Sequence, residues 1–257
     1  MKRILVIAGS DSSAGAGLQA DLKTAQSLGV YAQTAVTAVT VQNTRGVRAI
    51  VPMTPDIVRG QIEAALEDIG ADAIKIGMLA NGAIAAAVAD ALEQVDLPLV
   101  LDPVLLSTSG AVLLDEQGVE ILKARLFPRV TLLTPNLPET EMLTGIAAIS
   151  DHGVRNAMQA FALSGAANVL IKGGHGGGDM ARDVLVEGGR QTVFTAPRQD
   201  ARHTHGTGCT LATAIACGLA QGHSLADAVG RAHAYVQEAI RTAPGLGQGH
   251  GPLNHAR

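Results

Sequence analysis

Tryptophan is absent from the 257 residues, and the aromatic set amounts to two tyrosines and three phenylalanines. Binding of single-stranded bases draws on aromatic stacking, so the chain offers little for that role. Basic blocks are missing as well. The 19 lysines and arginines are outnumbered by 23 acidic residues, for a formal net charge of −4, and no polyanion-binding surface is expected. No apolar run reaches the roughly 18 residues a membrane span requires. Met1-Lys2-Arg3 is followed by only six residues of strand-like sequence, too short for a secretory signal. Two cysteines do not make a disulfide framework. On one helix, Cys209 and Cys217 would stand about 12 Å apart along the axis, beyond disulfide reach. Together these absences point to a soluble, reduced, cytoplasmic protein with neither nucleic acid nor a membrane as partner.

What is present is small and aliphatic. Hydrophobic residues make up 47% of the chain, mostly Ala, Val, Leu and Ile, enough for a sizeable core. Short apolar runs at 3–8, 31–41, 73–76, 99–101, 130–134 and 168–171 read as strands. Between them, Leu18, Leu22, Ala25 and Leu28 recur at helical spacing, as do Val58, Ile62, Ala65, Leu66 and Ile69. Thr54-Pro55 supplies an N-cap and an N1 proline for the second of these helices. Near-continuous apolar strands alternating with helices argue for a parallel sheet covered on both faces. Residues 183–197 break the alternation and read as a hairpin about Gly188-Gly189, which makes the sheet mixed at one edge. Helices near 208–221 and 224–242 follow. No linker or repeat divides the chain, and the Gly- and His-rich run at 173–178 reads as a loop inside one α/β/α domain spanning 1–257.

In such sheets ligands bind beyond the carboxyl ends of the strands. Asp102 follows L-V-L, Asn136 and Glu139 follow T-L-L-T, and Lys172 follows V-L-I, so four polar side chains converge on one rim. A capping or solvated role suits any one of them alone; four at one edge favour a site. The acidic pair Asp102 and Glu139 suits Mg²⁺, and the lysine suits phosphates the metal would bridge.

Near the N-terminus, Gly15-Ala16-Gly17-Leu18-Gln19-Ala20 spells G-x-G-x-x-A. It starts too far from the strand to be the immediate strand-to-helix turn. The second strand also ends in Val41-Gln42, not in an acidic ribose-binding residue, so a dinucleotide role is disfavoured. Asp21 falls on the apolar stripe of its helix, where a carboxylate is costly unless paired. Two readings stay open for it: a buried partner of a turn or of Lys75, or a place near a polar ligand.

H-G-T-G-C-T, residues 205–210, precedes a helix that is almost wholly apolar. Its first backbone N–H groups and the helix dipole make an anion site. Alone, the motif is equally a glycine-rich turn with Cys209 as a small hydrophobe. With the acidic and lysine rim nearby, a phosphate cradle at Gly206, Thr207, Gly208 and Cys209 is the better explanation. A helix N-terminus lowers a thiol's pKa while phosphate charge raises it, so the net direction at Cys209 is not set by sequence. The histidines of 203–205 and 250–255 have no zinc-site spacing and read as loop hydrogen-bonders.

A-G-S-D-S-S-A-G-A-G-L-Q-A-D, T-V-Q-N-T, I-K-I-G-M-L, L-D-P-V, T-P-N-L-P-E, I-K-G-G-H, H-T-H-G-T-G-C-T and G-H-G-P-L-N-H follow in that order over essentially the full chain. Together they resemble the hydroxymethylpyrimidine/phosphomethylpyrimidine kinases of thiamine biosynthesis, within the ribokinase-like superfamily. The resemblance implies a three-layer α/β/α ribokinase-like sandwich with a mostly parallel sheet, and a homodimer. It implies ATP as phosphate donor with Mg²⁺, acting first on the hydroxymethyl group of 4-amino-5-hydroxymethyl-2-methylpyrimidine and then on the monophosphate. Carried over by motif, Gln42 is the pyrimidine-binding amide, with Gly9, Asp21, Met78 and Val104 completing that pocket. Asn136 and Glu139 organise metal and phosphate beside Asp102; Lys172 contacts the nucleotide phosphates. Gly206 to Cys209 form the anion hole, with Cys209 as candidate base. The resemblance gives G-H-G-P-L-N-H no role. A pyridoxal kinase of the same superfamily is the competing enzyme, and a non-catalytic pyrimidine-binding module the competing class.

Overall fold

Strand and helix alternate much as the hydrophobic pattern requires. The computed structural model describes residues 1–107, 110–174, 179–199 and 203–256; residues 175–178 of the Gly- and His-rich run lie outside them. In chain order the elements are β1 (Arg3–Asp11), α1 (Gly17–Ser27), β2 (Tyr31–Asn43), β3 (Gly46–Pro52), α2 (Pro55–Asp68), β4 (Ala73–Ile76), α3 (Gly82–Ala91) and β5 (Leu99–Leu101). After these come α4 (Glu116–Ile121), β6 (Leu132–Leu133), α5 (Leu137–Thr144), α6 (Asp151–Leu163), β7 (Val169–Ile171), β8 (Met180–Glu187), β9 (Arg190–Pro197), α7 (Thr207–Ala220) and α8 (Leu225–Arg241).

The described strands form one nine-stranded sheet in the order β3-β2-β1-β4-β5-β6-β7-β8-β9. Pairing from β2 through β7 is parallel. The β8–β9 hairpin turns at Gly188-Gly189, both at positive φ (54° and 81°), as a two-residue turn of primed type demands. The expectation of a single mixed edge is corrected: β3 pairs antiparallel with β2, so both edges are mixed. Its sequence, G-V-R-A-I-V-P, lacks the continuous apolar run of a central strand because it sits at an edge with most of its side chains outside the core.

Period-two alternation along β1 sends side chains to two different cores. Leu5 and Ile7 join α2, α3 and α6 on one face, whereas Ile4 and Val6 meet α1 on the other. That second face also carries α7 and α8, packed on Val100, Leu132, Leu170 and Leu185. The three-layer α/β/α architecture follows. Each fully buried aliphatic side chain of this kind contributes about 1.5–3 kcal/mol. Helix α7 is apolar on all sides because α1, α8 and the sheet enclose it, with Ala212, Ile215, Ala216 and Cys217 at 0% exposure.

Inside this packing, among the described residues, lies a fully buried ion pair. Lys75 Nζ on β4 donates to Asp21 Oδ2 at 2.8 Å, and Thr213 Oγ1 on α7 donates to Asp21 Oδ1 at 2.7 Å. Burial by itself would favour a neutral amine, but the carboxylate of Asp21 outweighs it and holds the Lys75 pKa above its ordinary value. Of the two readings left open for Asp21, the structure gives the buried partner of Lys75. Breaking a buried pair leaves a charge uncompensated, at a cost of about 3–5 kcal/mol. Asp21→Ala is therefore expected to lower urea-unfolding stability by about that amount, and adding Lys75→Met to recover part of the loss. An Asp21→Ala chain as stable as the wild type would contradict this account.

Candidate active site

At the carboxyl ends of the strands, where their order reverses between β1 and β4, lies a cavity of about 740 Å³. Its wall brings together Gly9, Gln42, Met78, Asp102, Val104, Asn136, Glu139, Lys172 and the loop from Gly206 to Cys209. Every site residue named from sequence is present except Asp21, which lies outside the lining in the ion pair described above.

Local backbone rules place these groups. The β1–β2 pairing shifts register between Ala8 and Ser10, with the extra residue on β2, and the β2–β3 pairing shifts between Val41 and Gln42, with the extra residue on β3. Both irregularities fall beside residues that line the cavity, Gly9 and Gln42. A Cβ on Gly9 would stand 2.9 Å from the Met78 sulfur, so the bare backbone makes room for that side chain. Asn136 caps α5 as half of a capping box: its Oδ1 accepts from Glu139 N–H, and its own N–H donates to Glu139 Oε2, both at 2.8 Å. The capping role and the site role are thus carried by the same residues, and the cap holds Glu139 at the rim.

At the same rim Lys172 Nζ lies 2.6 Å from Asp102 Oδ1 and 4.0 Å from Glu139 Oε2. Thr134 Oγ1 also donates to Asp102 Oδ1, at 3.1 Å. Burial, reinforced by the Asp102 charge and only partly offset by Lys172, pushes the Glu139 carboxyl up to about 7. Burial opposes the charge on Lys172, but Asp102 and Glu139 outweigh it and shift its pKa upward. The two carboxylates beside a lysine fit a hard divalent cation that keeps most of its waters and takes its other oxygens from phosphate. Among the described residues, no group of three or more His, Cys, Asp and Glu side chains forms a closed metal cage.

Opposite this rim stands the N-terminus of α7. Gly206 has φ +85°, and a Cβ there would come within 1.9 Å of Gly15 O, so only glycine fits. A Cβ on Gly208 would lie 3.3 Å from both Asp102 Oδ2 and Lys172 Nζ. The helix terminus and the charged rim therefore face a shared space. Cys209 is partly exposed there, and its sulfur accepts from the Gly17 N–H. Burial raises its thiol to about 11, the carboxylates of Asp21 and Asp102 push the same way, and Lys75 opposes them. The direction that sequence left open is thus upward: Cys209 is a neutral thiol at physiological pH.

Two features were missed in the sequence. Asp11 sits at the end of β1, 4% exposed, and accepts hydrogen bonds from Ser13, Gly15, Ala16 and His205. Burial acts to raise its pKa, but these bonds prevail and hold it at about 2. His205 lies 2.9 Å from Asp11 and 3.1 Å from the Gln42 side chain. The only signal for the pair was an aspartate just after a strand and a histidine just before the anion loop. The C-terminal segment also acquires a place. His255 Nε2 lies 2.9 Å from Thr210 Oγ1 in the first turn of α7, Gly251 N–H donates to His203 Nδ1, and His250 N–H donates to Thr44 O. The histidines expected to make loop hydrogen bonds do so, and they fasten the tail beside the anion loop.

The chain matches the Phosphomethylpyrimidine kinase family over residues 11–254. It is 46% identical over 252 residues to the hydroxymethylpyrimidine/phosphomethylpyrimidine kinase of Streptomyces coelicolor, covering 98% of this chain and 93% of that one. It is also 46% identical, over 253 residues and 98% of its own length, to the thiamine biosynthesis bifunctional protein ThiED of Geobacter sulfurreducens, of which it spans about half, 52%. Among solved structures, the ADP complex of Bacillus subtilis pyridoxal kinase matches with a TM-score of 0.90 at 34% identity, covering 99% of this chain and 97% of that one.

Alkylation of Cys209 by iodoacetamide should be slow at pH 8 and accelerate toward a midpoint near 11, read by mass spectrometry against the free-thiol rate. A midpoint at or below 8.5 would contradict the burial argument. His255→Ala, which strips a partner from the buried Thr210 hydroxyl, should cost about 1–3 kcal/mol in chemical unfolding.

Proposed function

The chain belongs to the phosphomethylpyrimidine kinase family, and from that premise we propose how its cavity carries out two phosphoryl transfers from ATP. The first goes to the hydroxymethyl oxygen of 4-amino-5-hydroxymethyl-2-methylpyrimidine and the second to the monophosphate so formed. The carrying observation is the meeting of the α7 N-terminus with the Asp102–Lys172 pair across Gly208. Phosphoryl transfer is mainly positioning and charge stabilisation, and this junction offers the backbone N–H groups of Gly208 and Cys209, a cation and metal-binding oxygens in one place.

In this reading Gln42, Gly9, Met78 and Val104 hold the pyrimidine at the β1–β4 end of the cavity. Asn136, Lys172, Thr207 and Gly208 hold the phosphates. Asp102 and Glu139 would hold Mg²⁺, which when bound would supply charge neutralisation at the phosphate oxygens; a cation there would also draw Glu139 to its ionised form. Lys172 faces the transferring group. Gly206 to Cys209 aim backbone N–H groups at the charge that develops on it. Residues 1–257 act as one kinase unit, in the cytoplasm. Val39, Val41 and Val51, between 46% and 60% exposed on the β2–β3 edge, support assembly as a homodimer.

The two steps differ in one proton. The alcohol of the first step must lose its hydrogen, whereas the phosphate oxygen of the second is already ionised. A thiol held near 11 is neutral beside the incoming phosphomonoester. An aspartate in its place would add repulsion on the order of 4 kcal/mol at 4 Å with an effective dielectric of 20. For the first step Cys209 accepts the proton only as the thiolate, a form its burial disfavours.

ADP release should be measured with the hydroxymethylpyrimidine, with its monophosphate and with pyridoxal. Turnover of both pyrimidines is expected. Pyridoxal is the second reading, favoured by the likeness to the Bacillus subtilis enzyme; selective turnover of pyridoxal would replace the proposal. Background ATP consumption with all three would leave a non-catalytic binding module. The first-step rate should climb with pH between 7 and 10 as the thiolate fraction grows, while the second stays flat. Cys209→Ala should remove the climb. A climb that survives in the alanine variant would show the proton leaving by another route.

A further inference from the structure

Asp11 and His205 touch the cavity, yet no step of phosphoryl transfer uses them. Their hydrogen bonds decide a question that heavy-atom positions alone do not. Asp11 Oδ2 accepts from the N–H groups of Gly15 (3.1 Å) and Ala16 (2.8 Å), and Oδ1 accepts from Ser13 N–H (2.8 Å). Ser13 Oγ is within 2.9 Å of both oxygens. A carboxyl group so surrounded by donors is an ionised acceptor. His205 Nε2, 2.9 Å from Oδ2, must therefore carry a hydrogen, whether the ring is neutral or charged.

The Gln42 amide lies 3.1 Å from that same Nε2, and its other end lies 3.3 Å from Thr40 Oγ1. With the NH₂ turned toward His205, Nε2 would have to donate to Asp11 and accept from Gln42 at once. Thr40 would have to give its single hydrogen both to Gln42 and to Ser10 O, 3.1 Å away. Turning the amide over removes both conflicts, and its two ends are isosteric. The carbonyl then shares the His205 N–H, the NH₂ donates to Thr40 Oγ1, and Thr40 donates to Ser10 O. The ring packs on Gly15, where a Cβ would stand 2.5 Å from His205 Cδ2, and the backbone N–H of His205 donates to Gly251 O at 3.1 Å.

We propose that Asp11 and His205 are positioning residues that fix the orientation of the Gln42 amide, and so select which hydrogen-bonding edge of a substrate ring the cavity accepts. The proposal rests on the reading that Gln42 meets the pyrimidine. In the fixed orientation the amide has one carbonyl lone pair and one N–H left over, in a set order. With the aminopyrimidine of the proposed function seated against it, the carbonyl takes the amino group and the N–H takes the ring nitrogen. The same order opposes the 4-oxo analogue, whose carbonyl and ring N–H reverse the pattern. His205 is also the residue before Gly206, so one carboxylate, Asp11, anchors both ring selection and the start of the anion loop.

Two measurements test this. In ligand-free protein labelled with ¹⁵N-histidine, the His205 signals, identified by their loss in His205→Asn, should show Nε2 bearing hydrogen. An unprotonated Nε2 overturns the proposal. Separately, kcat/KM is compared for the 4-amino and 4-oxo pyrimidines in the wild type, in Asp11→Asn and in Thr40→Val, the last a near-isosteric change that keeps the fold. The wild-type preference for the amino ring should fall about tenfold or more in Asp11→Asn and in the same direction in Thr40→Val, with the KM for ATP unchanged in Thr40→Val. Equal losses for both rings, leaving the preference intact, mark a merely structural role and overturn the proposal. A wild type that phosphorylates neither ring overturns the functional reading instead, while the ligand-free spectrum still decides the amide orientation.

Discussion

The first turn of α7 borders the charged rim of the cavity, and the bond from Thr213 to Asp21, itself paired with Lys75, ties that helix to α1 and β4. One carboxylate with two donors joins α1, β4 and α7 at a place where none of the three groups is exposed. Hydrophobic packing alone is non-directional and would let a wholly apolar helix slide along its channel. A buried charge with two short bonds allows one height and one rotation. From that height follow the contact of Gly208 with the Asp102–Lys172 pair and the placement of Cys209 over Lys75 and Asp21, whose charges act on its thiol in opposite directions.

A second carboxylate organises the other end of the cavity. Asp11 gathers the loop after β1, the histidine ahead of the anion loop and, through that histidine, Gln42 at the end of β2. The C-terminal tail closes the arrangement by holding Thr210 and the backbone around His205 and Thr44. The tail has no sheet or helix of its own to stabilise it. Its order comes from these side-chain and backbone bonds, and it returns that order to the loop it borders.

The likeness to a pyridoxal kinase and to pyrimidine kinases has a physical basis in this division of the cavity. In the proposed reading, the end formed by Lys172, Asp102, Glu139 and the α7 terminus takes the phosphates and the cation, and that chemistry is indifferent to which ring bears the alcohol. In the same reading, discrimination between rings falls to the Gln42 end, where the donors and acceptors are few and their direction matters more than their number. A site built to pair with a ring edge rejects its reversed counterpart because buried polar groups would be left unmatched.

Local sequence was enough for the strand and helix alternation, for both mixed-sheet turn glycines of the β8–β9 hairpin, and for the rim of Asp102, Asn136, Glu139 and Lys172. A residue directly after a strand is placed by the strand itself, and a helix N-terminus offers its N–H groups wherever it lies. Edge strand β3 escaped notice because an edge need not be apolar. Whether Asp21 faced a ligand or a lysine, and why His205 and the tail matter, depended on partners 54, 194, 163 and 45 residues apart, and the direction of the Cys209 pKa on burial and on charges from other elements. The type of a side chain is written in the sequence. Its charge state, and the direction in which it donates a hydrogen, are set by neighbours that only folding brings within bonding distance.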